Sequence, residues 1–205
     1  NGAATISGSA AKSLWRGALD LLGATTWTGS GGIYLSNSAV LNNQTGATFN
    51  VETDQTFNSY QYGGTINNLG TFRKRNSSGT TTISSAIGFN QNGSLQIESG
   101  TLLVSTNGAQ TGDAQLSAGA TLQFTNGTFA LSNASSISGG EVLISGGTVN
   151  INGQSSIQNL RMTGGNLGGT GTLTTTHIFT WTAGTLTGGG ISVIPAGANL
   201  VINGG

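Results

Sequence analysis

The sequence predicts an all-β chain folded as a single-domain parallel β-helix, a β-solenoid of roughly nine coils. Three observations carry this prediction. Of 205 residues, 36 are Gly, 30 Thr, 23 Ser and 20 Asn, types that favour strands and tight turns over helices. From Ala24 onward apolar residues recur two apart in short runs closed by Gly, Asn or Ser, the pattern of strands with one buried face. Finally, the segments Leu41 to Glu52, Ile66 to Arg75 and Phe89 to Glu98 superpose, so that Phe49, Phe72 and Leu95 fall at equal intervals.

Residues 1–23 read as a cap or connecting segment. Leu14, Ala18, Leu21 and Leu22 share one face at helical spacing and Lys12, Arg16 and Asp20 another, while Gly17 weakens a helix there. A short N-terminal helix and a capping loop both fit. Residues 24–205 then form one continuous domain of repeats. A period of about 20 to 27 residues with two or three short strands matches one coil of a solenoid, whose inner row is buried only when coils stack. Stacking at about 4.8 Å sets Phe49, Phe72 and Leu95 in one apolar ladder and gives a rod about 40 to 45 Å long. Leu122, at a somewhat longer interval beyond Leu95, reads as a weaker fourth member. Later copies shorten into Gly-rich units such as Gly146 to Ile151 and Ala183 to Leu186.

The outward rows agree with that register. Glu52, Arg75 and Glu98 repeat at the same interval as the apolar ladder, which sets one Arg between two carboxylates on adjacent rungs. Such exposed pairs report register more than stability. Asn42, Asn67 and Asn90 each follow an apolar strand residue and are expected to stack as an amide ladder. Lys74 shares the inward parity of Val51 and Ile97, and is expected to pack its stem and keep its ammonium in water.

Composition narrows the function classes. Six Lys plus Arg balance six Asp plus Glu, so the basic footprint of a nucleic-acid binder is absent. No run approaches the ~18 apolar residues of a membrane helix. Cys is absent, which removes disulfides and thiolate ligands. His177 is the sole histidine and has no carboxylate near it in sequence. No triad, metal site, catalytic residue or cofactor is therefore predicted, and the chain reads as a non-enzyme.

Acids and bases converge once, where Glu52 and Asp54 meet Arg73, Lys74 and Arg75 on the next coil. An ion-pair rung is the expected reading, and a polysaccharide-degrading site the alternative. Tyr60 and Tyr62, before Gly63 and Gly64, offer rings that can stack on sugars, which makes a glycan-binding module a further alternative. Glycosylation sequons stand at Asn43, Asn76, Asn92, Asn126 and Asn133.

The phrases Asn67 to Phe72, Gly93 to Leu102, Ala118 to Leu122 and Thr180 to Leu186 resemble the repeats of large secreted bacterial surface proteins, of the filamentous-haemagglutinin and autotransporter-passenger kind. The resemblance covers residues 24–205 and rests on repeat style. It implies an exported parallel β-helix, outside the cell or on its surface, serving as adhesin stalk, fibre or matrix component. The start at Asn1 without Met reads as a mature or excised piece. Ala196 to Gly205 echoes Asn1 to Gly8 after one gap, as though one long repeat closes and another begins. The expected partners are therefore tandem neighbours or further copies stacked head to tail along the axis, with surface glycans as a second class.

Overall fold

The computed structural model describes residues 2–132 and 134–204. Its strands join in one parallel sheet wound into a β-solenoid of about nine coils with three faces. The first face stacks Ala4–Ile6, Ala24–Trp27, Thr48–Val51, Thr71–Lys74 and Ser94–Ile97. The second stacks Lys12–Trp15, Ile33–Ser36, Thr56–Asn58, Thr80–Ile83 and Thr101–Val104. The third stacks Ala18–Leu21, Ala39–Asn43, Gly64–Asn68, Ile87–Gln91 and Gly108–Gln110. Later strands continue round the corners, and Gln154–Gly169 contributes to all three faces in turn.

No helix occurs among the described residues. The N-terminal segment is neither helix nor capping loop: Lys12–Trp15 and Ala18–Leu21 are strands of the first coil. Leu14 pairs with Leu35 and Leu19 with Leu41. Gly17, at φ 73°, turns the corner between them, a conformation open to glycine and costly for most residues. Stacking on the next coil thus overrides a local helical spacing.

Alternation explains the core. On the first face Thr25, Phe49, Phe72, Leu95, Ala114 and Ile137 occupy one inward column. Phe49 meets Phe72 edge-on at 5.6 Å between ring centroids, and Phe72 meets Phe89 of the third face at 5.7 Å. The rings of neighbouring coils thereby form one dry aromatic column. Leu122 is not its fourth member. It lies on the second face between Leu102 and Val142, and Ala114 takes the place after Leu95. The coil holding Leu95 is short, so a search at constant spacing passes over Ala114 and lands on another face.

The Gly-rich units of the C-terminal half have a steric cause. Gly127, Gly147, Gly165 and Gly184 sit at the corner before the third face on successive coils, with φ between 65° and 96°. A Cβ on Gly147 would lie 2.7 Å from the backbone carbon of Asn126 on the coil before. The glycine column therefore supplies both the left-handed turn and the close approach of stacked corners.

The echo between the chain's two ends joins non-equivalent positions. Ala4–Ile6 is on the first face, whereas Asn199–Ile202 pairs with Ile178 to Trp181 on the second. Asn1 and Gly205, which bound the echo, lie outside the described residues.

Candidate functional site

The acid–base cluster forms where the first face turns into the second. Arg75 Nε donates to Glu52 Oε1 at 2.8 Å. Glu98 does not complete a triple with Arg75; its carboxylate stands 3.4 Å from Arg73 Nε, which also donates to Gln96 at 2.8 Å. Arg73 points outward from mid-strand and reaches forward one coil, whereas Arg75, beyond the strand end, reaches back. The alternation of charge along the backbone is thus resolved into two separate pairs.

Lys74 departs from its expected placement. Its side chain is 0% exposed, and the ammonium is enclosed rather than solvated. Nζ donates to Asp54 Oδ1 at 3.0 Å, Ser77 Oγ at 2.9 Å and Thr81 Oγ1 at 3.1 Å, so all three of its donors are satisfied. The corner residues fold over the strand end and replace water. Burial opposes ionisation of Asp54, but the Lys74 hydrogen bond and charge, with the Ser77 and Gly79 contacts, hold its carboxyl below the ordinary value of 3.8. Glu52, Asp54 and Glu98 are each committed to a cation. Among the described residues no three His, Cys, Asp or Glu side chains converge as metal ligands.

Two amide ladders line the third face. On the outside, Asn90 Nδ2 donates to Asn67 Oδ1 and Asn67 Nδ2 to Asn42 Oδ1, both at 2.9 Å. Asn42 in turn donates to Asp20 Oδ1 at 2.7 Å, and with Gln44 it lowers the Asp20 carboxyl below its ordinary value. The carboxylate, an acceptor only, suits a ladder whose donors all point toward the N-terminus.

A second, buried ladder runs through the adjacent residues. Asn43 Nδ2 donates to Asn68 Oδ1, and Asn68 Nδ2 to Gln91 Oε1, each at 2.6 Å. These amides also donate to corner carbonyls such as Thr71 O, Ser94 O and Gly93 O, which the turning backbone leaves facing inward. Gln110 takes the next rung. Asn43 Oδ1 and Gln110 Nε2, at the two ends, lack partners. The signal was present in the doublets Asn42-Asn43, Asn67-Asn68 and Asn90-Gln91, since a stacked outer amide implies a stacked inner neighbour.

Burial also sorts the sequons. Asn43 is 0% exposed, whereas Asn76, Asn92 and Asn126 reach the surface and Asn133 lies outside the described residues. Expression in a glycosylating host is expected to leave Asn43 unmodified in folded protein; glycopeptide mapping that finds a glycan there would contradict the buried ladder.

Aromatic residues gather where the second face turns into the third. Tyr60 and Tyr62 are 59% and 83% exposed. They are not a mutual pair: Tyr60 stacks on Tyr34 at 4.3 Å between centroids and 12° between planes. Tyr34 escapes a reading of the sequence because its partner stands on the following coil, with a whole turn of chain between them.

Apolar side chains reach the surface at the first and last described coils. At the first coil Ile6, Leu14 and Leu19 rim a cleft floored by Leu35 and Leu41. At the last, Leu186 and Ile191 rim another floored by Ile151, Leu167 and Leu173. Leu19, Leu200 and Ile202 are all exposed. No protein-family model, curated protein or solved structure matches the chain.

Proposed function

We propose that the chain is a structural rod of an extracellular or cell-surface assembly, an adhesin stalk or fibre segment extended by stacking further solenoid coils on its ends. The carrying observation is the apolar surface at the first and last described coils. Among the described residues the terminal strands pair on one side only, around apolar side chains, an arrangement that invites another strand and that lone solenoids cover with a polar cap. Low charge and a Ser, Thr and Asn surface suit a passive scaffold. The commitment of all three carboxylates near Arg73 to ion pairs favours scaffold over polysaccharide-degrading enzyme. The repeat style supports the resemblance to secreted bacterial surface proteins, and with it the adhesive and exported setting.

Purified chain is expected to associate end to end as concentration rises, giving filaments one solenoid wide by electron microscopy. Leu19→Lys and Ile202→Lys, at exposed positions on opposite ends, are expected to return it to monomers, because stacking would bury those charges. A wild-type chain that stays monomeric by light scattering at about millimolar concentration would overturn the proposal.

A further inference from the structure

We propose that the corner joining the second and third faces on the first three coils is a carbohydrate-binding site, with Tyr60 held flat against Tyr34 as its platform and Trp15 and Tyr62 beside it. The ligand class is a neutral oligosaccharide laid along the solenoid axis. The inference is independent of end-to-end stacking.

The distribution of aromatic residues comes first. The chain has three Tyr and three Trp. All three Tyr, and Trp15 at 52% exposure, fall at this one corner, whereas the other large exposed apolar side chains among the described residues are aliphatic. Exposed rings gathered in one place mark an interaction surface, whereas scattered ones need no explanation. Trp15 pairs with Ser36 on the next coil, and the Tyr60 amide donates to Ser36 Oγ at 3.0 Å. The two residues therefore flank one serine on successive rungs, with their backbones roughly 10 Å apart along the axis.

The loop carrying the platform is built to hold it. Residues 59–63 separate the strands Thr56–Asn58 and Gly64–Asn68, whereas the equivalent corner one coil later has only residues 84–86. The longer loop is fastened to the coil before it: Asn37 N donates to Gln61 O and Ser38 N to Gly63 O, both at 2.9 Å. Ser59 Oγ donates to Gln61 O at 2.9 Å. Four non-glycine residues at this corner adopt left-handed backbone, Arg16 at φ 65°, Asn37 at 53°, Ser38 at 62° and Tyr62 at 54°. Strain of this kind persists only where surrounding contacts over-determine it, and it collects at ligand sites.

Chemistry selects the ligand. The Tyr34 stack covers one face of Tyr60 and pre-orients the ring, which lowers the ordering cost of binding. A Tyr ring presents an apolar face with a polar rim, matching a sugar, whose C–H face is apolar and whose edge is hydroxylated. The polar residues of the Tyr60 loop and the rungs beside it, Asn37, Asn58, Ser59 and Gln61, are uncharged donors and acceptors that suit hydroxyl groups, and Arg16, exposed beside Trp15, is the one charged side chain at the corner on these coils.

The test is saturation-transfer NMR and calorimetry of the whole chain against neutral gluco-, manno-, xylo- and galacto-oligosaccharides. At least one series is expected to receive saturation from Tyr ring protons. Tyr60→Ala is expected to weaken its binding about tenfold or more, and Tyr60→Phe to stay within about threefold of wild type. Tyr62→Ala, at the most exposed of the rings, provides a variant with little packing to lose and is expected to weaken binding by a smaller factor. Thermal melting of each variant separates lost contact from lost fold. Silence across all four series, or binding that Tyr60→Ala and Tyr62→Ala both leave within about twofold, would overturn the site. Because filament formation is scored separately, failure of either idea leaves the other readable.

Discussion

Phe72→Ala is expected to cost about 3–5 kcal/mol of stability, the range for deleting a fully buried aromatic ring. Phe72 is 0% exposed and touches Phe49, Phe57 and Phe89 within 6.2 Å between centroids. Its removal therefore opens a cavity between rings on all three faces, with backbone ladders on either side that restrict collapse. Phe72→Asp should do more, because it places an unpaired charge in the same column. Each coil contacts mainly its neighbours, so the loss is expected to unfold the central coils first and to broaden the transition into more than one step. Chemical denaturation followed by hydrogen exchange measures both. An unchanged melting profile for Phe72→Asp would mean that the ring does not face inward.

The second large effect concerns Lys74. Asp54→Ala is expected to destabilise by about 2–3 kcal/mol, below the range of about 3–5 kcal/mol typical of breaking a buried pair, because Asp54 itself is 41% exposed. Its removal leaves an enclosed ammonium held only by the Ser77 and Thr81 hydroxyls. Lys74→Met, by contrast, removes the charge along with the need for a counter-ion and is expected to be near neutral or stabilising. Denaturant midpoints of the two variants decide the matter; equal losses would mean that the ammonium is solvated.

The same pair gives a pH dependence. The Asp54 carboxyl is held below 3.8 in the folded chain. Its contribution is therefore complete above that unfolded value and disappears as pH falls through the lower folded one. Stability should drop in that acidic window for wild type and drop less for Lys74→Met.

Much of the architecture was legible because the inward column repeats. Phe49, Phe72 and Leu95 carry like residues at a constant interval, and the outer amides Asn42, Asn67 and Asn90 nearly so. Legibility ended where coil length changed. Ala114 follows Leu95 after a shorter interval, and Leu122, which a search near the earlier interval selects, belongs to another face. The N-terminal coil was obscured for a different reason. Its leucines satisfy a helical spacing as well as a strand one, and only Leu35 and Leu41 on the next coil break the tie.

The candidate sites divide in the same manner. Tyr60 and Tyr62 stand out as exposed-type residues in a turn, but the partner that orients Tyr60 is Tyr34, on the coil below. Glu141 and Arg161 form a two-point pair, Nε to Oε2 and Nη2 to Oε1 at 2.8 Å each, with no motif to announce it. Lys74 reads from parity as an inward residue, yet its enclosure requires Asp54, Ser77 and Thr81 to close over it from three separate places in the chain.

From the order of residues it follows that this chain winds parallel coils, which residues alternate inward, and that stacked amides and ion pairs accompany them. These are consequences of strand alternation and a near-constant repeat, both properties of neighbouring residues and fixed intervals. Only the folded coils reveal which corners are long, which face receives Leu122, where the Lys74 ammonium goes, and how Tyr34 and Tyr60 meet. Those outcomes depend on how many residues each corner absorbs before the backbone re-enters the ladder, a quantity set by packing between coils and left unspecified by local pattern.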